Sequence, residues 1–288
     1  MKTLLRDTWT VFARAMRMSL RNPAWLVIMM MQPILYIVLF GPLLEPLSGQ
    51  LGAGNAYQIF VPGILVQLGI FGSLFVGFGL IGEYRAGVVE SQRVTPASRT
   101  ALLLGRVLRD VVVLLVQGTL LVLVSLPLGL RAPLLGVVLT LVVVALLGAA
   151  FASISYALAL TLKSEDAFAP LLNAFVLPVL LLSGILLPMT LAPAWLQTVS
   201  DVNPLKHVVE GTREFFLGGC DTSVAWWGLA LTVLLALLGG DSASDVSGVS
   251  PVEGTLITAA ASGAIGTPLS ERWVPFRGGA RASVGGRA

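Results

Sequence analysis

The sequence predicts an all-α protein integral to a membrane, and three observations carry that prediction. Of its 288 residues, 56% are hydrophobic and only 11% are charged, whereas a soluble domain carries about 25% charged residues. Six stretches reach or approach the roughly 20 apolar residues that a helix needs to cross a bilayer: 24–44, 59–81, 111–130, 133–162, 167–188 and 224–240. Lysine and arginine are also divided unequally between the segments that join them. The predicted architecture is six transmembrane helices, an N-terminal interfacial helix, a charged helix between spans two and three, and short re-entrant helices between spans five and six.

Residues 1–22 form the first element. At 3.6 residues per turn, Leu5, Trp9, Phe12, Met16 and Leu20 fall on one face and Arg6, Arg14, Arg17 and Arg21 on the other side. That separation predicts an amphipathic helix lying in the membrane interface. The apolar run that follows is too long for a signal peptide. Between spans two and three the chain reads "GEYRAGVVESQRVTPASR" from Gly82 to Arg99. Tyr84 to Val94 predicts about three helical turns, with Glu90 and Arg93 paired at i,i+3. Thr95-Pro96 ends that helix. Ser98 caps the next one, which leads from Arg99 to Asp110 into span three. The connection from Glu83 to Asp110 far exceeds the usual 4–6 residues, so it predicts a docking surface rather than a plain solvated connector.

Between spans five and six, residues 189–223 are too apolar for a solvated loop and too interrupted to span; Pro193, Trp195, Asn203 and Pro204 mark short helices that dip partly into the membrane. Span six is short, about 26 Å at 1.5 Å per residue. Residues 241–288 are rich in Gly, Ser and Ala and predict a disordered tail. The change of composition after Gly240 is abrupt enough to fit a shifted reading frame.

Orientation follows from the positive charges. With the N-terminus in the cytoplasm, the inner segments hold Lys2, Arg6, Arg14, Arg17, Arg21, Arg85, Arg93, Arg99, Arg106, Arg109 and Lys163. The outer segments hold only Arg131, Lys206 and Arg213. This split predicts both termini in the cytoplasm of a multi-pass plasma-membrane protein. It also explains a pI near 9.3 without any nucleic-acid partner.

Several chemistries are excluded. Cys220 and His207 are the only residues of their kinds, so a disulfide, a cysteine cluster and a zinc site are not expected, nor is a catalytic triad. The six stretches contain no Asp, Glu, Lys, Arg or His. No buried ionic site is therefore expected, and an ion-coupled carrier acting alone is the weaker reading. The neutral polar residues Gln32, Gln67 and Asn173 either hydrogen-bond between helices or line a pathway. No phosphate-binding loop surrounds any of the three lysines, Lys2, Lys163 and Lys206. The chain has no nucleotide site of its own, and energy for uphill transport must come from a partner.

Four motifs then resemble one family, the permease subunits of type-2 ABC exporters, and within it the daunorubicin-resistance-like branch of actinobacteria. Span one opens with "RNPAWLVIMMMQPILYIVLFG". The inner loop follows E-x-x-x-G-x-x-E-x-x-x-x-T-P-x-S-R through Glu83, Gly87, Glu90, Thr95, Pro96, Ser98 and Arg99. "LLSGILLPMTLAPAWLQTVSDVNPL" supplies Pro193, Trp195, Asn203 and Pro204, and "VVEGTREFFLGG" supplies Glu210 and Arg213.

The resemblance implies a six-helix subunit that pairs with a second permease copy, as a homodimer or a heterodimer. It also implies a separate cytoplasmic ATPase that binds ATP and Mg. The interfacial helix, with Trp9, Phe12, Arg14, Arg17 and Arg21, and the loop, with Glu83, Arg85, Gly87, Glu90 and Arg93, would rest on that ATPase. Cargo would be amphipathic drugs or natural products, with lipids or lipid-linked glycans as the alternative. Ser91-Gln92, where the family usually has apolar residues or Arg-Leu, and the long tail depart from the pattern.

Overall fold

The computed structural model describes residues 2–21, 23–46, 55–88, 99–185, 189, 192–219 and 222–248, and its long elements are all helices. In chain order they are α1 (Lys2–Arg21), α2 (Pro23–Leu44), α3 (Ala56–Leu74), α4 (Val76–Arg85), α5 (Arg99–Ser125), α6 (Leu134–Leu162), α7 (Glu165–Leu182), α8 (Ala194–Asp201), α9 (Pro204–Leu217) and α10 (Ser223–Gly248). Five stretches are long and apolar enough to cross a membrane: Val27–Leu44, Ala56–Arg85, Thr100–Ser125, Leu134–Leu162 and Glu165–Leu182. The sixth, Ser223–Gly239, is shorter.

α3 and α6 form the centre of the bundle. α3 is apolar on every side, and Phe60, Val61, Ile64, Leu65 and Val66 are buried to about the last atom. A helix that is hydrophobic all round belongs in an interior. α6 packs against it through Val143, Val144 and Leu147. α2 and α7 lie at the periphery; only 28% of the α2 stretch and 11% of the α7 stretch is buried within the protomer.

The structure corrects several boundaries. The predicted span 59–81 is two helices, broken at Phe75, with no proline at the break. Ser155 of α6 closes the gap: its Oγ accepts from the Gly77 N–H at 3.0 Å and donates to the Leu74 carbonyl at 2.6 Å. A membrane helix can be interrupted where a neighbour satisfies the freed backbone groups. The helix expected to lead from Arg99 into span 111–130 does start at Arg99 and is continuous with the span, but it ends at Ser125 rather than at Leu130. Residues 126–129 form a turn in which Gly129 has φ +109°. The turn is made of Leu126, Pro127 and Leu128, so apolarity alone does not distinguish it from the span. The span placed at 167–188 runs from Glu165 to Leu182 and ends in a turn with Gly184 at φ +69°.

The helix expected from Tyr84 to Val94 is not continuous either. α4 ends at Arg85, and Gly87 has φ +72°. The glycine is required by its backbone, since a Cβ added there would meet no atom within 4 Å. Gly87→Val is expected to cost about 1–2 kcal/mol at this turn, and Gly87→Asn far less, because asparagine tolerates left-handed backbone. Hydrogen exchange at the Ala86 and Gly87 amides, bonded to the Gly82 and Tyr84 carbonyls at 3.0 Å each, should accelerate about tenfold in the valine variant only. Equal acceleration in both variants would point to a close approach at Gly87 instead. At the other extremity, helix α10 continues past the composition change at Gly240 to Gly248. Extending an existing helix costs less than nucleating one, so Ser- and Asp-containing sequence can follow it. Residues 249–288, the rest of the predicted tail, lie outside the described residues.

Candidate functional site

Two polar clusters lie at opposite ends of the bundle. The first joins α4, α5, α6 and α7. Glu83, two residues before the end of α4, accepts from Arg106 Nη2 of α5 at 2.6 Å. One turn further along α5, Arg109 Nη2 lies 2.6 Å from Asp110 Oδ1 and donates to the Tyr156 hydroxyl of α6 at 3.1 Å. The Tyr156 hydroxyl donates to Asp110 Oδ2 at 2.5 Å. Asp110 and Tyr156 are buried, and Arg109 keeps one quarter of its side chain exposed. At the rim, Arg85 pairs with Glu165 at 3.2 Å and the Lys163 ammonium sits 5.3 Å from the centre of the Tyr84 ring. The rim pair is exposed and contributes little to stability. The buried triad fixes the position of α5 against α6.

This cluster revises the expectation that the chain has no buried ionic site. Arg106, Arg109 and Asp110 precede the uninterrupted apolar run and are expected on the helix that leads into it, as part of the inner connection. The fold instead takes this lead-in into the packed bundle, where Asp110 is buried. Among the expected coupling residues, Glu83 and Arg85 meet partners within this chain. Glu90, Arg93, Thr95, Pro96 and Ser98 lie outside the described residues. Arg99 opens α5, and Gly87 turns the chain out of α4.

α1 lies against α5 at the same end. A Cβ on Gly105 would meet Val11 Cβ at 2.7 Å and the Thr8 carbonyl oxygen at 2.9 Å, so the two helices touch almost backbone to backbone. Trp9 stacks obliquely on Phe12 with ring centres 5.2 Å apart, and Trp9 is 64% exposed. Arg14, Arg17 and Arg21 are exposed as well.

The second cluster surrounds α8 and α9. Pro193 precedes α8, and Trp195 on its first turn is exposed. Asn203 caps α9, accepting from the Leu205 N–H at 3.1 Å while its Nδ2 donates to the Val179 carbonyl of α7 at 2.7 Å. Pro204 follows at the first helical position, where its missing N–H costs nothing. Glu210 lies 3.7 Å from Lys206, which also binds Asp201 at 2.5 Å.

Arg213 is the centre of this end. Its Nε donates to the Ile59 carbonyl of α3 at 3.1 Å. Its Nη2 donates to the carbonyls of Gly184 and Ile185 at 2.7 and 3.1 Å, just past the end of α7. Burial pushes its pKa down to about 10, with Glu210 acting in the opposite direction. The guanidinium stays charged at neutral pH, and its planar fork ties three chain segments together.

The candidate pathway residues do not come together within the protomer. Gln32 donates to Tyr36 on its own helix at 3.3 Å, and Asn173 donates to Ala169 on its own helix at 3.0 Å. Gln67 is half-buried on α3. None of them lines the apolar cavity of about 350 Å³ between α3, α6 and α7, whose walls include Ile70, Leu74, Phe151, Ile154, Leu172 and Phe175.

Helices of this length with such exposed side chains as Val27, Met31, Phe175 and Leu181 need an apolar solvent on their outer faces. The protein is therefore integral to a membrane. Residues 6–217 match the ABC-2 type transporter family, and the chain belongs to that family. Members of that family are transmembrane subunits. Over 236 residues, 81% of this chain and 82% of the relative, it is 25% identical to "Daunorubicin resistance ABC transporter permease protein DrrB1" of Streptomyces coeruleorubidus. Over 252 residues it is 27% identical to "Putative transport permease ycf38" of Pyropia yezoensis, covering 82% of this chain and 84% of the relative. Over 193 residues it is 25% identical to "Probable multidrug ABC transporter permease YbhR" of Escherichia coli K12, covering 64% and 50% respectively.

Proposed function

We propose that this chain is the permease subunit of an ATP-driven exporter that moves amphipathic drugs or natural products out of the cell. The similarity to a daunorubicin-resistance permease along most of both chains carries this reading. A separate ATPase, binding ATP and Mg, would dock on the cytoplasmic side at the α1 end. Glu83 and Arg85 stand there, shortly before residues 89–98. Through Glu83–Arg106 and Arg109–Asp110–Tyr156, a push on this part of the chain would reach α5 and α6 as one unit.

A second permease copy would cover the peripheral helices. α7 is buried along only 11% of its apolar stretch. Asn173 on it is exposed, and among the described residues its bond stays within its own helix. An amide in that position gains from a partner helix. Pairing at α2 and α7 would also bring Gln32 and Asn173 to the walls of a shared pathway.

The apolar cavity favours a flat or acyl-bodied cargo over a glycan, whose hydroxyls would find no partner on its walls. Co-purification in mild detergent tests the whole reading: the permease should retain an ATPase subunit, and amphipathic drugs should stimulate hydrolysis. Absence of any retained ATPase would refute it. Ile154→Trp, which fills the cavity, should weaken the apparent affinity for such drugs by about tenfold or more while ATPase capture persists; an unchanged dose response would separate the cavity from transport.

A further inference from the structure

We propose that α1 is a binding site for anionic phospholipids of the inner leaflet, with Arg6, Arg17 and Arg21 as the headgroup contacts. The proposal takes the α1 end to be cytoplasmic, as in the function proposed above.

Three arcs divide the surface of α1. Val11 and Thr8 face α5, where the near-backbone contact at Gly105 prevents the helix from rolling. Leu5, Trp9 and Leu20 form a second arc and are 70%, 64% and 71% exposed. Among the described residues none covers them, and they are directed to hydrocarbon. Arg6, Arg17, Arg21 and Arg14 form the third arc, all four exposed and within about 80° of one another at 3.6 residues per turn. The arginine arc borders the apolar arc at Leu20 and Arg6, and the stripe runs about 22 Å along the helix axis.

With the apolar arc directed into the bilayer, Arg6 and Arg17 stand nearest its edge, at headgroup depth. Arg21 and Arg14 lie further round, about 20° apart, and the long Arg21 side chain, in the last turn before α2, reaches back toward the headgroups. The arc contains no acid. Asp7 flanks it, with an Oδ1 4.0 Å from Arg6 Nε. Among the described residues no carboxylate lies within ion-pair distance of Arg14, Arg17 or Arg21. Guanidinium groups bind phosphate through two parallel N–H donors. A continuous border of apolar and cationic side chains matches the boundary between acyl chains and phosphates. A protein-docking patch would not need the arginines to adjoin the lipid-facing arc along its length.

Spin-labelled lipids measure this directly on the full chain in nanodiscs, without the ATPase. Phosphatidylglycerol is expected to associate at least about fivefold more strongly than phosphatidylcholine. High salt should reduce the preference. Arg6→Gln, Arg17→Gln and Arg21→Gln combined should bring it close to one, whereas the three Arg→Lys changes should keep most of it. Equal association of the two lipids with the unaltered chain would overturn the proposal. So would a preference that survives the glutamine changes; if those changes then abolished ATPase capture, the arc would be a protein-docking surface. Loss of the preference in the lysine variant too would trace the effect to the fold of α1 and overturn the proposal equally. Because the lipid measurement needs neither transport nor an ATPase, failure of the exporter reading would leave it intact.

Discussion

Asp110→Ala is expected to destabilise the protein by about 3 kcal/mol, the usual result of removing one partner from a buried ion pair. The variant would leave the Arg109 guanidinium and the buried Tyr156 hydroxyl without their acceptor. One quarter of Arg109 is exposed, which moderates the cost, because part of its charge can still reach water or headgroups. In a detergent melt this corresponds to a fall of about 6–12 °C, at 2–4 °C per kcal/mol for a chain of this size class. Asp110→Asn keeps an acceptor for the hydroxyl and should lose roughly half as much. The stronger test is the double variant Arg109→Met/Asp110→Ala. Removing both charges together removes the buried unpaired group, so the double variant should be more stable than Asp110→Ala alone by about 1–3 kcal/mol. Simple addition of the two single effects would show that the pair does not act as a unit.

That pair also shows where reading the sequence stops. The apolar run from Val111 is visible, so are the charges before it, and Ser98 announces a helix leading from Arg99 into the span, but nothing local says that this lead-in carries its charges into the packed region. A helical wheel extended back from the span would place Arg106, Arg109 and Asp110 on one face at i, i+3 and i+4. Tyr156 gave no signal at all. A single tyrosine inside a run such as "FASISYALALTL" is ordinary, and its partner lies 46 residues away in sequence.

Ser155 beside it was equally silent, because its task depends on the break at Phe75, and that break has no proline to announce it. Glycines at 77, 79 and 82 weaken the helix there without specifying where it divides. By contrast, the extent of α1 as a helix was legible, because amphipathic periodicity is a local property. Its contact with α5 through Thr8 and Val11 was not, because it depends on the missing side chain of Gly105. The two short helices α8 and α9 were legible for a similarly local reason: Pro193, Asn203 and Pro204 are start signals that act within a single turn.

Arg213 is the opposite case, a residue visible in a motif whose task is entirely tertiary. Arg213→Leu is expected to cost about 3 kcal/mol or more. The carbonyls of Gly184 and Ile185 lie beyond the last turn of α7, where no helical N–H is available to them. Each buried carbonyl left unpaired costs about 1–3 kcal/mol. The Ile59 carbonyl lies inside α3 and loses only a supplementary donor.

Arg213→Lys separates charge from geometry. A lysine keeps the positive charge in a site that excludes water, but a single ammonium cannot donate toward α3 and toward the end of α7 at once. It should therefore be no better than leucine, and worse if desolvation of the ammonium outweighs the one bond it keeps. Thermal unfolding of the three proteins side by side gives the order. If lysine restored full stability, the site would need only a positive charge near Glu210, and the three-carbonyl tie would not be what holds α7 to α3 and α9.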